Sequence, residues 1–110
     1  MKKNKISLDF LYIVDGTTVF PFVSLKISIG GQSKKGIFYG DDIVDAIFNG
    51  IESLTGIEAK LLDSYVSIIE KKVTVKLEKN SKEYFGECID KNIVLACAKA
   101  YIDCLNKVIS

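Results

Sequence analysis

The chain says the same thing twice. Sliding it along itself by 50 residues, without a gap, lays Gly36 on Gly86, Ile43-Val44 on Ile93-Val94 and Ala46 on Ala96. Lys26 falls on Lys76 and Val23 on Val73 in the same register. A fixed-period self-match constrains architecture before any local propensity does. The period is too long for a common solenoid repeat and there are two copies, so the chain reads as one duplicated supersecondary unit.

Within the first copy, Leu8 to Val14 is apolar at nearly every position and reads as a strand buried on both faces or lying at an interface. Asp15-Gly16 supplies a turn. Val19 to Ile29 alternates, with Val23, Leu25, Ile27 and Ile29 on one face and Ser24, Lys26 and Ser28 on the other, as in a half-buried antiparallel strand. Pro21, the only proline, implies an edge, a bulge or a later strand start. Gly30-Gly31-Gln32-Ser33 forms a hairpin turn and Lys34 to Tyr39 returns as a third strand. The period then changes: Ile43, Ile47, Ile51 and Leu54 fall at helical spacing, widened by Val44 and Phe48. Asp41 or Asp42 is the natural N-cap and Gly56 the natural stop.

The second copy follows the same order. Ala59 to Ile69 is a strand and Glu70-Lys71 a short turn. Val73, Val75 and Leu77 alternate with Thr74, Lys76 and Glu78; Lys79-Asn80-Ser81 turns and Tyr84 to Ile89 returns. Asn92 caps a helix whose apolar stripe runs through Ile93, Cys97, Ala100-Tyr101, Cys104 and Val108. The expected fold is α+β: a duplicated βββα unit with pseudo-two-fold symmetry, antiparallel sheets and two helices. Residues 1–110 make a single domain, with repeats at about 8–56 and 57–109.

At 110 residues the chain can bury a core without disulfides or metal. Its 48% hydrophobic content hints at apolar surface beyond that core, which an oligomer contact usually explains. A formal charge of +1 gives no reason to expect nucleic acid or an acidic membrane as partner. The basic start Met1-Lys2-Lys3-Asn4-Lys5 has no apolar run and cleavage site behind it, and no segment approaches the ~20 apolar residues of a membrane span. The expectation is a cytoplasmic domain. Three scattered cysteines make no disulfide framework; Cys97 and Cys104 share a helix face but stand roughly 10 Å apart along its axis. They read as buried apolar thiols in a reducing compartment.

Catalysis finds little to work with, and no cofactor is expected. The chain has no histidine, the commonest general base. No serine or cysteine stands in a nucleophile elbow, and no glycine-rich loop leads from a strand into a helix. The carboxylates are left. Asp41, Asp42 and Asp45 crowd one helical turn, where acids suit the helix dipole. The second copy carries Lys91, Asn92 and Leu95 at the matching positions, so the fold does not demand three acids there. Free N–H groups at a helix start can hold an anion and adjacent carboxylates an ammonium, a pair that suits a zwitterion such as an amino acid. Tyr65 and Ser67, alternating with Val66 and Ile68 on the fourth strand, place hydroxyls on a strand surface. Asp9 and Asp63 read as solvated.

Four blocks, in order, resemble a known family. Phe10-Leu11-Tyr12-Ile13-Val14-Asp15-Gly16-Thr17-Thr18-Val19-Phe20-Pro21 is similar to the opening of the C-terminal regulatory domain of 2-isopropylmalate synthase. Gly40-Asp41-Asp42-Ile43-Val44-Asp45-Ala46 resembles that family's Gly-Asn-Gly-Pro-Val-Asp-Ala helix start. Thr55-Gly56-Ile57-Glu58-Ala59 through Leu62-Asp63-Ser64-Tyr65 resembles its following strand. Asp90-Lys91-Asn92-Ile93-Val94-Leu95-Ala96-Cys97-Ala98-Lys99-Ala100-Tyr101 is similar to its closing helix. The match spans residues 6 to 109, and the citramalate synthases carry the same domain.

The resemblance implies a feedback module with no catalytic residues of its own. The full-length enzymes condense acetyl-CoA with a 2-oxo acid in a TIM barrel, and this domain forms a homodimer and binds leucine or isoleucine as branched-chain effector. In the family the effector sits between the first helix start and the fourth strand. Carried over, that implicates Asp41, Val44 and Asp45, with Leu62, Tyr65, Ser67 and Ile69 opposite and Asn92 and Ile93 from the second helix start. Asp42-Ile43 replaces the family's Gly-Pro, and the loop after the fourth strand is cut to Glu70-Lys71. A structural dimerisation module that has lost effector binding is the alternative reading.

Overall fold

The first hairpin turns on Gly30-Gly31, whose φ angles of +57° and +87° are left-handed, as a two-residue type I′ connection requires. Because two residues suffice, Gln32 and Ser33 join the returning strand rather than the turn. The second hairpin makes the same turn without glycine, with Asn80 at +55° and Ser81 at +65°. Asparagine enters that region readily and serine at some cost.

The computed structural model describes residues 5–16 and 20–110. The elements are β1 (Ile6–Val14), β2 (Phe22–Ile29), β3 (Gln32–Tyr39), α1 (Ile43–Thr55), β4 (Lys60–Ser67), β5 (Lys72–Lys79), β6 (Lys82–Ile89) and α2 (Ile93–Ile109). They form two antiparallel three-stranded sheets, β1-β2-β3 and β4-β5-β6, each followed by its helix. This is the α+β, βββα-βββα arrangement expected. Contacts divide the chain into two compact units, Met1–Ile57 and Glu58–Ser110.

The 50-residue offset holds through β2, β3 and the start of α1, which map onto β5, β6 and the start of α2. The first strands are offset by 53, since Val14 pairs with Phe22 and Ser67 with Lys72. The difference lies in the connection: seven residues separate β1 from β2 (15–21) and four separate β4 from β5 (68–71). Both first strands carry a bulge at matching places, between Leu8 and Phe10 and between Leu61 and Asp63. A bulge adds one residue and sharpens the local twist, here at each sheet's outer edge.

Three sequence expectations need correction. Of the two readings of β1, burial on both faces within the chain fails, since Ile6 is buried while Phe10 and Tyr12 are exposed, and a position at an interface is untouched by this. β2 starts at Phe22, directly after Pro21, whose missing N–H cannot join a ladder; the predicted beginning at Val19 lies outside the described residues, as do Thr17, Thr18 and the basic start through Asn4. β4 ends at Ser67, so Ile69 stands in the turn and is 95% exposed. The Lys71 N–H donates to the Ile68 carbonyl at 3.3 Å and Lys71 itself takes a φ of +54°, which breaks the alternation before Ile69.

Each core is one sheet face under one helix. In the first unit Val23, Leu25 and Ile27 of β2 are fully buried, as are Ala46, Ile47 and Ile51 of α1. Each large member contributes about 1.5–3 kcal/mol by leaving water. Val73, Val75 and Leu77 repeat the pattern with Ala96, Ala100, Cys104 and Leu105. The two packings differ at the third strand. In the first unit the Phe38 ring lies over Gly36 and against Gly50 of α1. In the second, Cys88 and Ala100 stand at those positions, and α2 comes down on Gly86 so closely that a Cβ there would strike the Ala100 carbonyl and the Cys104 N–H. A large ring over a glycine on the helix in one unit is exchanged for a small thiol and a closer helix in the other. No helix among the described residues is long and apolar enough to cross a membrane.

Candidate functional site

The start of α1 is built by its own acids. Asp42 is the N-cap, and its Oδ1 accepts from the Asp45 N–H at 2.8 Å. Asp45 reaches back, and its Oδ2 accepts from the Asp41 N–H at 3.0 Å. This is a reciprocal capping arrangement in which two acids satisfy two main-chain donors that helical bonds cannot reach. Gly40 makes room for it: a Cβ at that position would lie 2.7 Å from Asp45 Oδ2. Asp42 and Asp45 are therefore accounted for by the helix start, a charge cluster that spacing alone left unexplained. Asp41 is exposed, and its carboxylate has no hydrogen bond or ion pair among the described residues. Val44, on the first turn, is half-buried.

The start of α2 solves the same problem differently. Asn92 caps through its Oδ1, which accepts from the Leu95 N–H at 3.0 Å. The carboxylate that caps from behind comes from Asp90, whose Oδ1 accepts from the Asn92 N–H at 2.9 Å. That bond, helped by Lys99 at 3.5 Å, holds the Asp90 carboxyl below the ordinary aspartate range, although slight desolvation opposes it. The pair Gly40/Asp45 in one copy is thus exchanged for Asp90/Leu95 in the other. The exchange is visible in the 50-residue offset, and it identifies Gly40 and Asp90 as helix-start residues that periodicity missed.

On the second unit the implicated residues divide. Tyr65 and Ser67 share the sheet face turned away from α2, opposite Thr74 and Lys72. The Ser67 Oγ accepts from the Glu70 N–H at 3.3 Å, closing the turn that carries Ile69. The Asp90 N–H donates to the Lys71 carbonyl at 2.9 Å, which ties that turn to the start of α2. Ser67, Ile69, Asn92 and Ile93 therefore belong to one end of the unit. Leu62 does not: it is the extra residue of the β4 bulge, roughly 16 Å along the strand from Ser67. Asp9 is likewise not simply solvated, for its carboxylate accepts from the Ser28 hydroxyl at 2.6 Å. Among the described residues no group of three or more acids or cysteines could hold a metal.

The duplicated βββα arrangement, with a polar helix start in each copy, defines an internally repeated α+β class of domain. Comparison with known families narrows it. The model of the LeuA allosteric (dimerisation) domain matches residues 1–109, and the chain belongs to that family. Similar proteins include the 2-isopropylmalate synthase of Heliobacterium modesticaldum, 32% identical over 109 residues covering 94% of this chain and 21% of that protein. The 2-isopropylmalate synthases of Syntrophus aciditrophicus and Clostridium kluyveri are 29% and 31% identical, over 96% and 92% of this chain and 22% and 21% of theirs. The chain thus spans about a fifth of the length of the curated relatives it matches.

Proposed function

We propose that the chain binds a branched-chain amino acid, leucine or isoleucine, and as a homodimer transmits end-product inhibition to the catalytic TIM barrel of a 2-isopropylmalate or citramalate synthase. The family match over residues 1–109 is the observation that carries the reading. The chemistry of the α1 start supports it. Asp41 offers an uncommitted carboxylate to an ammonium, and the Ile43 and Val44 N–H groups, which helical bonds cannot reach, are left for an anion. Val44 supplies apolar surface and Asp45 holds the turn in shape. On the second unit we assign contacts to Tyr65, Ser67 and Ile69 and to the α2 start at Asn92 and Ile93. Leu62 acts through the bulge that sets the course of β4 toward Tyr65.

An effector that inhibits must favour one conformational state, with a coupling of about 1–3 kcal/mol as the usual scale. Calorimetric titration of the 110-residue chain with leucine and with isoleucine tests the reading. A saturable heat with one of them is expected. Silence with both at millimolar concentration would leave a dimerisation module without effector binding. That second reading has its own support, because capping already employs Asp42 and Asp45.

A further inference from the structure

Five hydrogen bonds run in series from the end of β4 to the first turn of α2. The Ser67 Oγ accepts from the Glu70 N–H at 3.3 Å, and the Ile68 carbonyl accepts from the Lys71 N–H at 3.3 Å. The Lys71 carbonyl accepts from the Asp90 N–H at 2.9 Å. The Asp90 Oδ1 accepts from the Asn92 N–H at 2.9 Å, and the Asn92 Oδ1 from the Leu95 N–H at 3.0 Å. Lys71 bonds on both sides from a left-handed φ of +54°, which costs a non-glycine residue something to hold. Asp90 turns its main chain toward the turn and its side chain toward the helix, and Lys99 steadies its other oxygen at 3.5 Å.

The first unit has no such path. At the α1 start the Asp45 and Asp42 carboxylates accept from the Asp41 and Asp45 N–H groups, so the bonds close among neighbours. Among the described residues none runs from there to the segment before β2. Gly40, which stands where the repeat puts Asp90, has no side chain to contribute. One helix start is self-contained, and the other is tied to a turn.

We propose that Asp90 is a positioning residue for effector binding: it locks the 68–71 turn to the start of α2, so that Ser67 and Ile69 meet a ligand together with Asn92 and Ile93. The assignment rests on the effector reading above and adds the residue that holds its second-unit contacts in one arrangement. The turn by itself is a weak element. Its own two bonds are long for N–H···O contacts, and its Ile69 is 95% exposed. Its shortest attachment is the bond from Asp90. With Oδ1 on the Asn92 N–H and Oδ2 beside Lys99, the Asp90 main chain is fixed where its N–H meets the Lys71 carbonyl. A turn already fixed has less freedom to lose when a ligand seats on it.

Native-state hydrogen exchange by NMR and calorimetric titration with leucine and isoleucine, both on the 110-residue chain, test the assignment. Asp90→Ala removes both side-chain contacts. It is expected to speed exchange by about fivefold or more, the scale of a lost cap, at the amides of Glu70, Lys71 and position 90 as well as Asn92. It is also expected to weaken binding of whichever amino acid the wild type takes by about tenfold, within the usual range of such couplings. Asp90→Asn keeps an oxygen for the Asn92 N–H and restores most of both. From the other end, Ser67→Ala frees the Glu70 N–H and raises exchange at the Asp90 amide, since coupling is reciprocal. Asp103→Ala is the control: it takes an acceptor from the Glu87 N–H, 3.0 Å away, and leaves the turn amides and the affinity in place.

A folded Asp90→Ala protein whose turn amides keep wild-type rates would reduce Asp90 to a helix cap and overturn the proposal. Where Asp90→Ala does not fold, an Asp90 amide unmoved by Ser67→Ala does the same. Faster turn exchange at unchanged affinity also overturns it, and leaves the effector reading standing. A wild type that binds neither amino acid overturns the effector reading and the positioning role together.

Discussion

The Asp45 carboxylate accepts a hydrogen bond from the main-chain N–H of Asp41 at 3.0 Å, and so a residue inside α1 caps the residue two places before its first turn. Replacing Asp45 with alanine removes that acceptor and lowers stability by about 1 kcal/mol, the usual worth of such a cap. Asp45→Asn keeps an oxygen in place and costs a few tenths of that. Urea unfolding of the two variants measures the difference. If the charge of Asp45 holds the effector's ammonium, Asp45→Asn loses binding at near-full stability. Asp41→Asn, which removes a carboxylate without a capping bond, lowers affinity and leaves the melting temperature in place.

Gly36 and Gly86 are related by the repeat and are expected to respond differently to the same change. At Gly36 a Cβ meets the far end of the Phe38 ring at 2.8 Å, and a ring tip can swing aside. Gly36→Ala should cost about 1 kcal/mol. At Gly86 the obstacle is main chain of α2, so the helix must lift off the sheet. Gly86→Ala should cost ~3 kcal/mol or more and reduce helical order, as read by thermal unfolding with circular dichroism.

Asp90 gives the acid limb a defined sign. Its folded-state carboxyl is held low, first by the Asn92 N–H. The associated stability is fully present above the ordinary aspartate range, near 3.8, and is lost as pH falls through the lower folded value. Asp90→Asn should therefore melt below wild type at neutral pH and converge with it in strong acid. Parallel melting curves at all pH values would contradict the assignment.

The three thiols should label in a fixed order. Burial pushes Cys97 and Cys104 up from the ordinary thiol value, and the Cys104 thiol donates to the Tyr84 carbonyl at 3.2 Å. Cys88 is also raised but only half-buried. With iodoacetamide Cys88 reacts first and slowly, while Cys97 and Cys104 wait for local opening of α2. Mass spectrometry of timed digests reads the order directly.

Much of this was legible without coordinates because it is local. Alternation at Val23-Leu25-Ile27 and Val73-Val75-Leu77 depends only on which side chains avoid water. Asn92 and the Gly56 stop, which takes a left-handed φ of +69°, depend on main-chain groups within a few residues. The 50-residue echo carried those local signals from one copy to the other. It could not carry what depends on contact across the fold. The alternation that runs Tyr65, Ser67, Ile69 stops at Ser67 because a four-residue turn spends Ile69 on reversal. Two aligned glycines stand under different neighbours because one unit fills its third strand with Phe38 and the other lowers its helix. Sequence by itself determined the duplicated βββα plan, through periodicity, turn residues and caps. The bonds of Asp42 and Asp45 at the helix start are local too, and there the structure chose Asp42 from the two cap candidates that the sequence offered. Tertiary structure alone decided that Tyr12, Ile37 and Tyr39 on the first sheet and Tyr65 and Ile89 on the second stand exposed while Val23, Leu25 and Ile27 lie fully buried, because exposure is a property of what packs above a residue and not of its neighbours in the chain.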